Sequence, residues 1–324
     1  MKITGDTVKV AACRLKPGKG DVSGSFSSDM ILHSPDLFFD IIASVFRSWL
    51  IHGTVTQSLL SCAFIPLFKG GLKDPANTDS YRAIASSSLL LKLFDNVVIS
   101  LWGNLLDTDS LQFGFKQGTS TTECTWLVME VATYFLRKGT SCIVTLLDCT
   151  KAFDTCKFSI LFHKLHQQNL PAILIRTLIY VYKEQIAWVK WGNTKSEQFG
   201  IVNGTRQGSV LSPYFFAIYV NDLLLELRRL GVGCYIGGKF FGAVGYADDI
   251  LLIAPCRSAM EQMLAVCEEF GYKNNLRFST DTNPSKSKTK CLFMVGDKVK
   301  QPKYPAPLQL YGKDLPSVKH ATHL

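Results

Sequence analysis

Three aspartates carry the chemistry that this sequence can do. Asp248 and Asp249 stand side by side in residues 241–254, FGAVGYADDILLIA, and Asp148 ends another apolar run, Ile143-Val144-Thr145-Leu146-Leu147. Like charges set among apolar residues raise one another's pKa, and a buried charge must be paired. Something cationic belongs there. Oxygen-only ligands suit Mg²⁺ or Mn²⁺, hard cations that keep waters and accept phosphate oxygens. Two such ions, about 3.5–4 Å apart, would clamp the attacking and leaving oxygens of an in-line phosphoryl displacement. An Asp-Asp pair alone is far better explained as a solvated turn. The third aspartate favours the metal site, provided that its strand lies beside the other two.

The elements that must position these residues follow from apolar spacing. Residues 241–246 and 250–254 are short, bounded by Gly or Pro, and read as two half-buried strands of one hairpin with the carboxylates at its tip. Residues 142–147 read as the strand that delivers Asp148. A second hairpin is predicted from 62–69, through Gly70-Gly71, to a return from Ser80, and a third turns at Gly192-Asn193 between 187–191 and 198–202. Helices are predicted over 35–50, 87–106, 121–137, 158–168, 172–183 and 258–270. Ser212 as N-cap and Pro213 as first helical residue predict one more, from there to about Arg229.

Two loops carry polar residues of interest. Gly204 and Gly208 in GTRQGSVLSP make that loop permissive enough for close approach of a ligand to backbone. Residues 112–121, QFGFKQGTST, combine aromatic, basic and Gly positions that would suit a nucleic-acid strand, while the last Ser and Thr equally suit a helix N-cap. Lys69 and Arg82 sit near the open side of the second hairpin, where they are either solvated cations or partners for a triphosphate.

The 324 residues are 47% apolar and 19% charged, which describes a globular chain with a sizeable core and excludes wholesale disorder. Lys and Arg exceed Asp and Glu by 35 to 26, a net +9 that favours a polyanionic partner. The ten cysteines form no CxxC pair and no zinc spacing, and read as reduced thiols of an intracellular protein. No secretion signal is present at the N-terminus, and no apolar run approaches the roughly 20 residues of a bilayer span. The pairs His163/His166 and His320/His323 lack companion ligands nearby and read as structural.

An ordered series of motifs resembles the reverse transcriptase domain of a non-LTR, LINE-type retrotransposon: Ile65-Pro66-Leu67-Phe68-Lys69, Tyr81-Arg82-Ala83-Ile84, Gln112-Phe113-Gly114-Phe115, Leu147 to Asp154, Gly204 to Pro213, and Tyr246-Ala247-Asp248-Asp249. The resemblance runs from about Leu15 to the last residue. It departs from the family at Ala83, where proline is usual. It implies an α+β right-hand polymerase, with fingers over 1–140 and a ferredoxin-like palm over 141–324 that carries a fingers-like insertion at about 170–203. The palm would end at His320-Ala321-Thr322-His323-Leu324, the start of a primer grip, with the thumb absent.

The same resemblance assigns roles. Asp148, Asp248 and Asp249, with the Cys149 carbonyl, would hold two Mg²⁺ ions, with Mn²⁺ as a substitute. Phe153 would exclude a ribose 2′-hydroxyl, so that the substrate is a dNTP. Lys69 and Arg82 would bind its triphosphate, Gln207 and Gly208 would line the nucleotide pocket, and Lys286 would protonate the leaving pyrophosphate. The partners implied are an RNA or DNA template with its primer, and no membrane. Read without the family, Phe153 is a core aromatic and Lys286 a solvated lysine. The alternatives are a catalytically inactive nucleic-acid-binding remnant, an intron maturase-like protein, and a nucleotide cyclase, which would need neither the Lys69/Arg82 hairpin nor the 112–120 loop.

Overall fold

A computed structural model describes residues 3–22, 24, 26–71, 74–116, 118–206, 208–281, 287–295 and 306–318. Mixed α and β elements form two compact units, one from residues 1–107 and 158–215 and the other from 108–157 and 216–324. The chain therefore leaves the first unit after residue 107, returns to it at 158 and leaves it again after 215.

In the first unit, helix Asp36–His52 packs on helices Gly5–Ala12 and Ala172–Lys183, and Leu89–Trp102 packs on Gly5–Ala12. Phe46, Trp49 and Phe94 meet edge to face or tilted, with ring centroids 4.9–5.5 Å apart. Such pairs bury large apolar rings in their preferred geometry. Gly53 ends the helix Asp36–His52 in the left-handed region at φ +72°, and its N–H donates to the Trp49 carbonyl. The sheet of this unit runs Tyr81–Ser87, Ser61–Phe68, Ile186–Trp191, Thr194–Lys195, with Phe199–Gly200 also on Ile186–Trp191. The return after Gly192-Asn193 begins at once, at Thr194, and not only at 198. Segment Leu89–Leu106 is long and apolar enough to pass for a membrane span, contrary to the sequence reading, but 56% of it is buried within the fold. It also carries Lys92 and Asp95, so it serves here as a core helix.

The second unit is built on a four-stranded antiparallel sheet. In spatial order its strands are Lys290–Met294, Cys142–Asp148, Asp249–Ala254 and Ala243–Tyr246, that is fourth, first, third and second along the chain. A helix, Ser212–Arg229, lies in sequence between first and second strands, and another, Arg257–Lys273, between third and fourth. This is the order of a split β-α-β arrangement. All seven residues of Cys142–Asp148 are buried, as expected of an inner strand covered on both faces. Val144, Leu146, Val244, Leu251 and Ile253 pack with Val128 and Val131 of helix Thr121–Arg137 in one core. The second strand starts at Ala243 and not at 241, because the Phe241 N–H is taken by the Cys234 carbonyl.

All ten cysteines are free thiols. His163 and His166 lie on helix Phe158–Gln167, and no metal cluster forms among the described residues. His320, His323 and the primer-grip segment 320–324 lie outside the described residues, as do Gln207 and Lys286.

Helix Thr121–Arg137 begins with a capping box: the Ser120 hydroxyl accepts from Glu123 N–H, and the Glu123 carboxylate accepts from Ser120 N–H. Of the two roles open to the end of the 112–121 loop, Ser120 takes the N-cap. Ser120→Ala is expected to lower unfolding stability by about 1 kcal/mol, read as a shift of the urea midpoint at unchanged slope.

Candidate active site

Asp148 and Asp249 are direct partners across the two inner strands, in the register Asp249↔Asp148 and Ile250↔Leu147. Asp249 also pairs with Tyr246 on its other side, which leaves Ala247 and Asp248 as a two-residue turn. Ala247 holds φ +59° there, a left-handed conformation that costs a residue with a Cβ roughly 1–2 kcal/mol. The three aspartates thus share one end of the sheet. Among the described residues no three Asp, Glu, His or Cys side chains are yet drawn together tightly enough to hold an ion.

The electrostatics of this end are those of crowded carboxylates. Burial raises the Asp248 pKa, the Asp249 charge adds to it, and Asp148 contributes in the same direction while Lys288 opposes. Burial, and then the negative charges of Asp248 and Asp148, also push the Cys149 thiol up. A cation is already present: Lys288 Nζ stands 3.0 Å and 3.3 Å from the two Asp148 oxygens. Its partner is mostly buried while the lysine side chain is mostly exposed, so the ammonium reaches in from the solvent side. This lysine escaped the sequence reading, which singled out Lys286 two residues earlier. Cys149 itself is buried and bridges Phe278, with Ser279 N–H donating to the Asp148 carbonyl.

Phe153 lies on the short helix Ala152–Thr155, after Lys151 at φ +49°. Its ring packs on the fully buried Phe216 at 4.6 Å between centroids, and meets Phe115 edge-on at 6.3 Å. The ring is thus held from behind by Phe216.

In the first unit, the register Leu67↔Arg82 and Phe68↔Tyr81 puts Lys69 and Arg82 at the connected end of the hairpin, not at its open end. Period-two alternation sets both on one face. The Lys69 N–H donates to the Ser80 carbonyl, and its ammonium donates to the Asp79 carbonyl at 2.7 Å.

Gly208 has φ +86°, and a Cβ there would overlap the Ala85 carbonyl oxygen. The sequence reading gave Ser209, Val210 and Arg206 no individual role. Asp95 Oδ2 accepts from the Ser209 hydroxyl at 2.6 Å and from Val210 N–H at 3.2 Å. Burial raises the Asp95 pKa, opposed first by the Arg206 charge. The Ser212 hydroxyl, predicted as an N-cap, instead donates to the Arg206 carbonyl at 2.5 Å. The sequence signal for this network is an acidic residue, Asp95, inside the largely apolar helix Leu89–Trp102.

The family model described as "Reverse transcriptase (RNA-dependent DNA polymerase)" matches residues 69–305, well over half of the chain. The chain is similar to the Retrovirus-related Pol polyprotein from type-1 retrotransposable element R2 of Nasonia vitripennis, 26% identical over 232 residues, 71% of this chain and 22% of that protein. It is similar to the RNA-directed DNA polymerase from mobile element jockey of Drosophila funebris, 25% identical over 287 residues, 85% of this chain and 30% of the relative. A third relative is the Pol polyprotein from type-1 retrotransposable element R1 of Bradysia coprophila, 25% identical over 305 residues, 90% of this chain and 28% of its own length. The chain therefore spans less than a third of the length of these relatives.

The raised pKa of Asp248 has a sign for stability. Its ionised form is less favourable in the fold than in the unfolded chain, so ionisation costs stability above the folded pKa and nothing below the unfolded one. Asp248→Asn is expected to raise the melting temperature at neutral pH without divalent metal, with the gain shrinking as pH falls through the raised pKa. Melting curves of both proteins in EDTA across pH 3–8 measure it, on an ordinary Asp pKa of about 3.9.

Proposed function

The chain belongs to the reverse transcriptase (RNA-dependent DNA polymerase) family, and on that premise we propose that it adds deoxynucleotides to a primer on an RNA or DNA template. The observation that carries this reading is the sheet end itself: Asp148 and Asp249 paired across neighbouring strands, with Asp248 in the adjoining turn. In the proposal, this sheet belongs to a palm within 141–324, and fingers occupy 1–140 together with an insertion near 170–203.

The donor set fits hard divalent cations, since it is oxygen-only and its mutual repulsion raises Asp248. Asp148, Asp248, Asp249 and the Cys149 carbonyl would hold two Mg²⁺ ions, or Mn²⁺ in their place. Bound there, the ions would supply positive charge to favour the primer 3′-alkoxide and to neutralise pyrophosphate.

The chain's own residues do the rest. Lys69 and Arg82 are the proposed triphosphate ligands, one a point charge and the other a planar fork. Phe153, braced by Phe216, is the proposed barrier to a 2′-hydroxyl. Gly208, whose backbone lies so close to the Ala85 carbonyl that no Cβ fits, and Gln207 are proposed to line the nucleotide pocket. Lys286 is the proposed proton donor to the leaving group. Lys288 holds the charge of Asp148.

The test is extension of a DNA primer on an RNA template by the purified chain with Mg²⁺ or Mn²⁺. Extension is expected, and Asp248→Asn and Asp148→Asn should each abolish it. A folded wild-type chain that incorporates no dNTP with either metal, or extension that survives both substitutions, overturns the reading.

A further inference from the structure

The turn that carries Asp248 is fixed from outside its own hairpin. Gln112 is completely buried, and its Oε1 accepts from Ala247 N–H at 3.2 Å and from Gly114 N–H at 3.0 Å. Two N–H donors facing one amide oxygen settle which end of the amide points at the turn, since the NH₂ end could not accept them. The backbone on either side of Gln112 joins in. Gly245 N–H donates to the Leu111 carbonyl at 2.8 Å, and Phe113 N–H donates to the Gly245 carbonyl at 2.7 Å. Residues 111–113 thus lie against Ala243–Tyr246 as a short parallel bridge.

Two glycines make this fit possible. A Cβ on Gly114 would overlap Ala247 N, and one on Gly245 would come within 2.8 Å of the Gln112 amide nitrogen. Gly114 and Gln112 therefore close on the turn from one side as a single bracket. The bracket is braced at its far end: Asp109 N–H donates to Asn221 Oδ1 at 2.7 Å, Arg228 pairs with the Asp109 carboxylate at 2.7 Å, and the Lys116 ammonium donates to the Thr108 and Asp109 carbonyls. Lys116, a basic residue of the loop that the sequence associates with nucleic acid, is engaged in holding that loop together.

Resting on the polymerase reading above, we propose that Gln112 is a positioning residue for the metal-binding carboxylates, and that it sets the Ala247–Asp248 turn against Asp148. The turn needs such a support for two reasons. Ala247 is held in a conformation that it does not favour, and the turn carries Asp248 directly beside Asp249, the register partner of Asp148, so like charges crowd this end of the sheet. A neutral amide oxygen pins the turn without adding a fourth negative charge.

The experiment replaces Gln112 in the full chain and follows metal binding directly. Gln112→Met keeps the length and removes the acceptor, and Gln112→Asn keeps the amide but withdraws its oxygen. Mn²⁺ alone is titrated by EPR, and Mg²⁺ is titrated in the extension assay. Both variants are expected to raise the Mn²⁺ dissociation constant and the half-saturating Mg²⁺ roughly tenfold or more, the usual effect of losing a group that orients metal ligands, with the dNTP KM unchanged. If Gln112→Met does not fold, Gln112→Asn decides alone. Unchanged metal affinity in the folded variants overturns the proposal, as does a lowered melting temperature with fewer active molecules but the same half-saturating Mg²⁺. A wild-type chain that binds no Mn²⁺ and extends no primer overturns the polymerase reading instead.

Discussion

Mutual repulsion of carboxylates at one end of a buried sheet is the constraint that the second unit is built to withstand. Asp148 and Asp249 face each other in the ladder, Asp249 pairing also with Tyr246 and the Asp148 carbonyl accepting from Ser279 N–H. Asp248 is the one with freedom, since it occupies a two-residue turn. The supports converge on that freedom: Gln112 and Gly114 behind the turn, and Lys288 in front of Asp148. Repulsion stored in a rigid frame is useful, because a frame that could relax would offer a divalent cation less to gain by binding.

The first unit meets a different version of the same problem. Its 204–212 loop holds two glycines at positive φ, and a loop of that kind would otherwise be loose. A buried carboxylate, Asp95, and a buried guanidinium, Arg206, give it a fixed shape through Ser209, Val210 and Ser212. Asp95 is held by the Ser209 hydroxyl and the Val210 N–H, and the Arg206 charge opposes the rise that burial gives its pKa. The glycine permits the close approach to Ala85, and the hydrogen bonds to the buried carboxylate hold the loop.

What was legible in the sequence was whatever local spacing decides. The Asp148 strand, the helices Thr121–Arg137 and Ala172–Lys183, and the Ala247–Asp248 hairpin tip follow from apolar periodicity and turn residues, and the structure has them within a residue or two. What local spacing cannot decide is register between distant strands. Lys286 and Lys288 are two apart in one Ser/Lys stretch, and only the pairing Lys290↔Leu146 settles that Lys288 stands at Asp148. Gln112 was read as a residue for nucleic acid because nothing in its own loop points to Ala247. Asp95 drew no reading of its own within the predicted helix, and its partners arrive from over a hundred residues away. The same limit explains the connected-end placement of Lys69 and Arg82, which depends on where the Phe68↔Tyr81 pairing begins.

The order of strands in the central sheet has a consequence for synthesis. Cys142–Asp148 is made first, is buried along its whole length, and is flanked in the finished sheet by strands that leave the ribosome only around residues 250 and 290. Until then, this largely apolar strand has two open edges, which is the condition under which nascent chains pair wrongly or aggregate. Non-local pairings of this kind are also slow to form. A ribosome paused between those two points would hold a chain with all three aspartates already made and one flank of the Asp148 strand still bare, so the rate of translation through residues 250–290 sets how long that edge must be shielded.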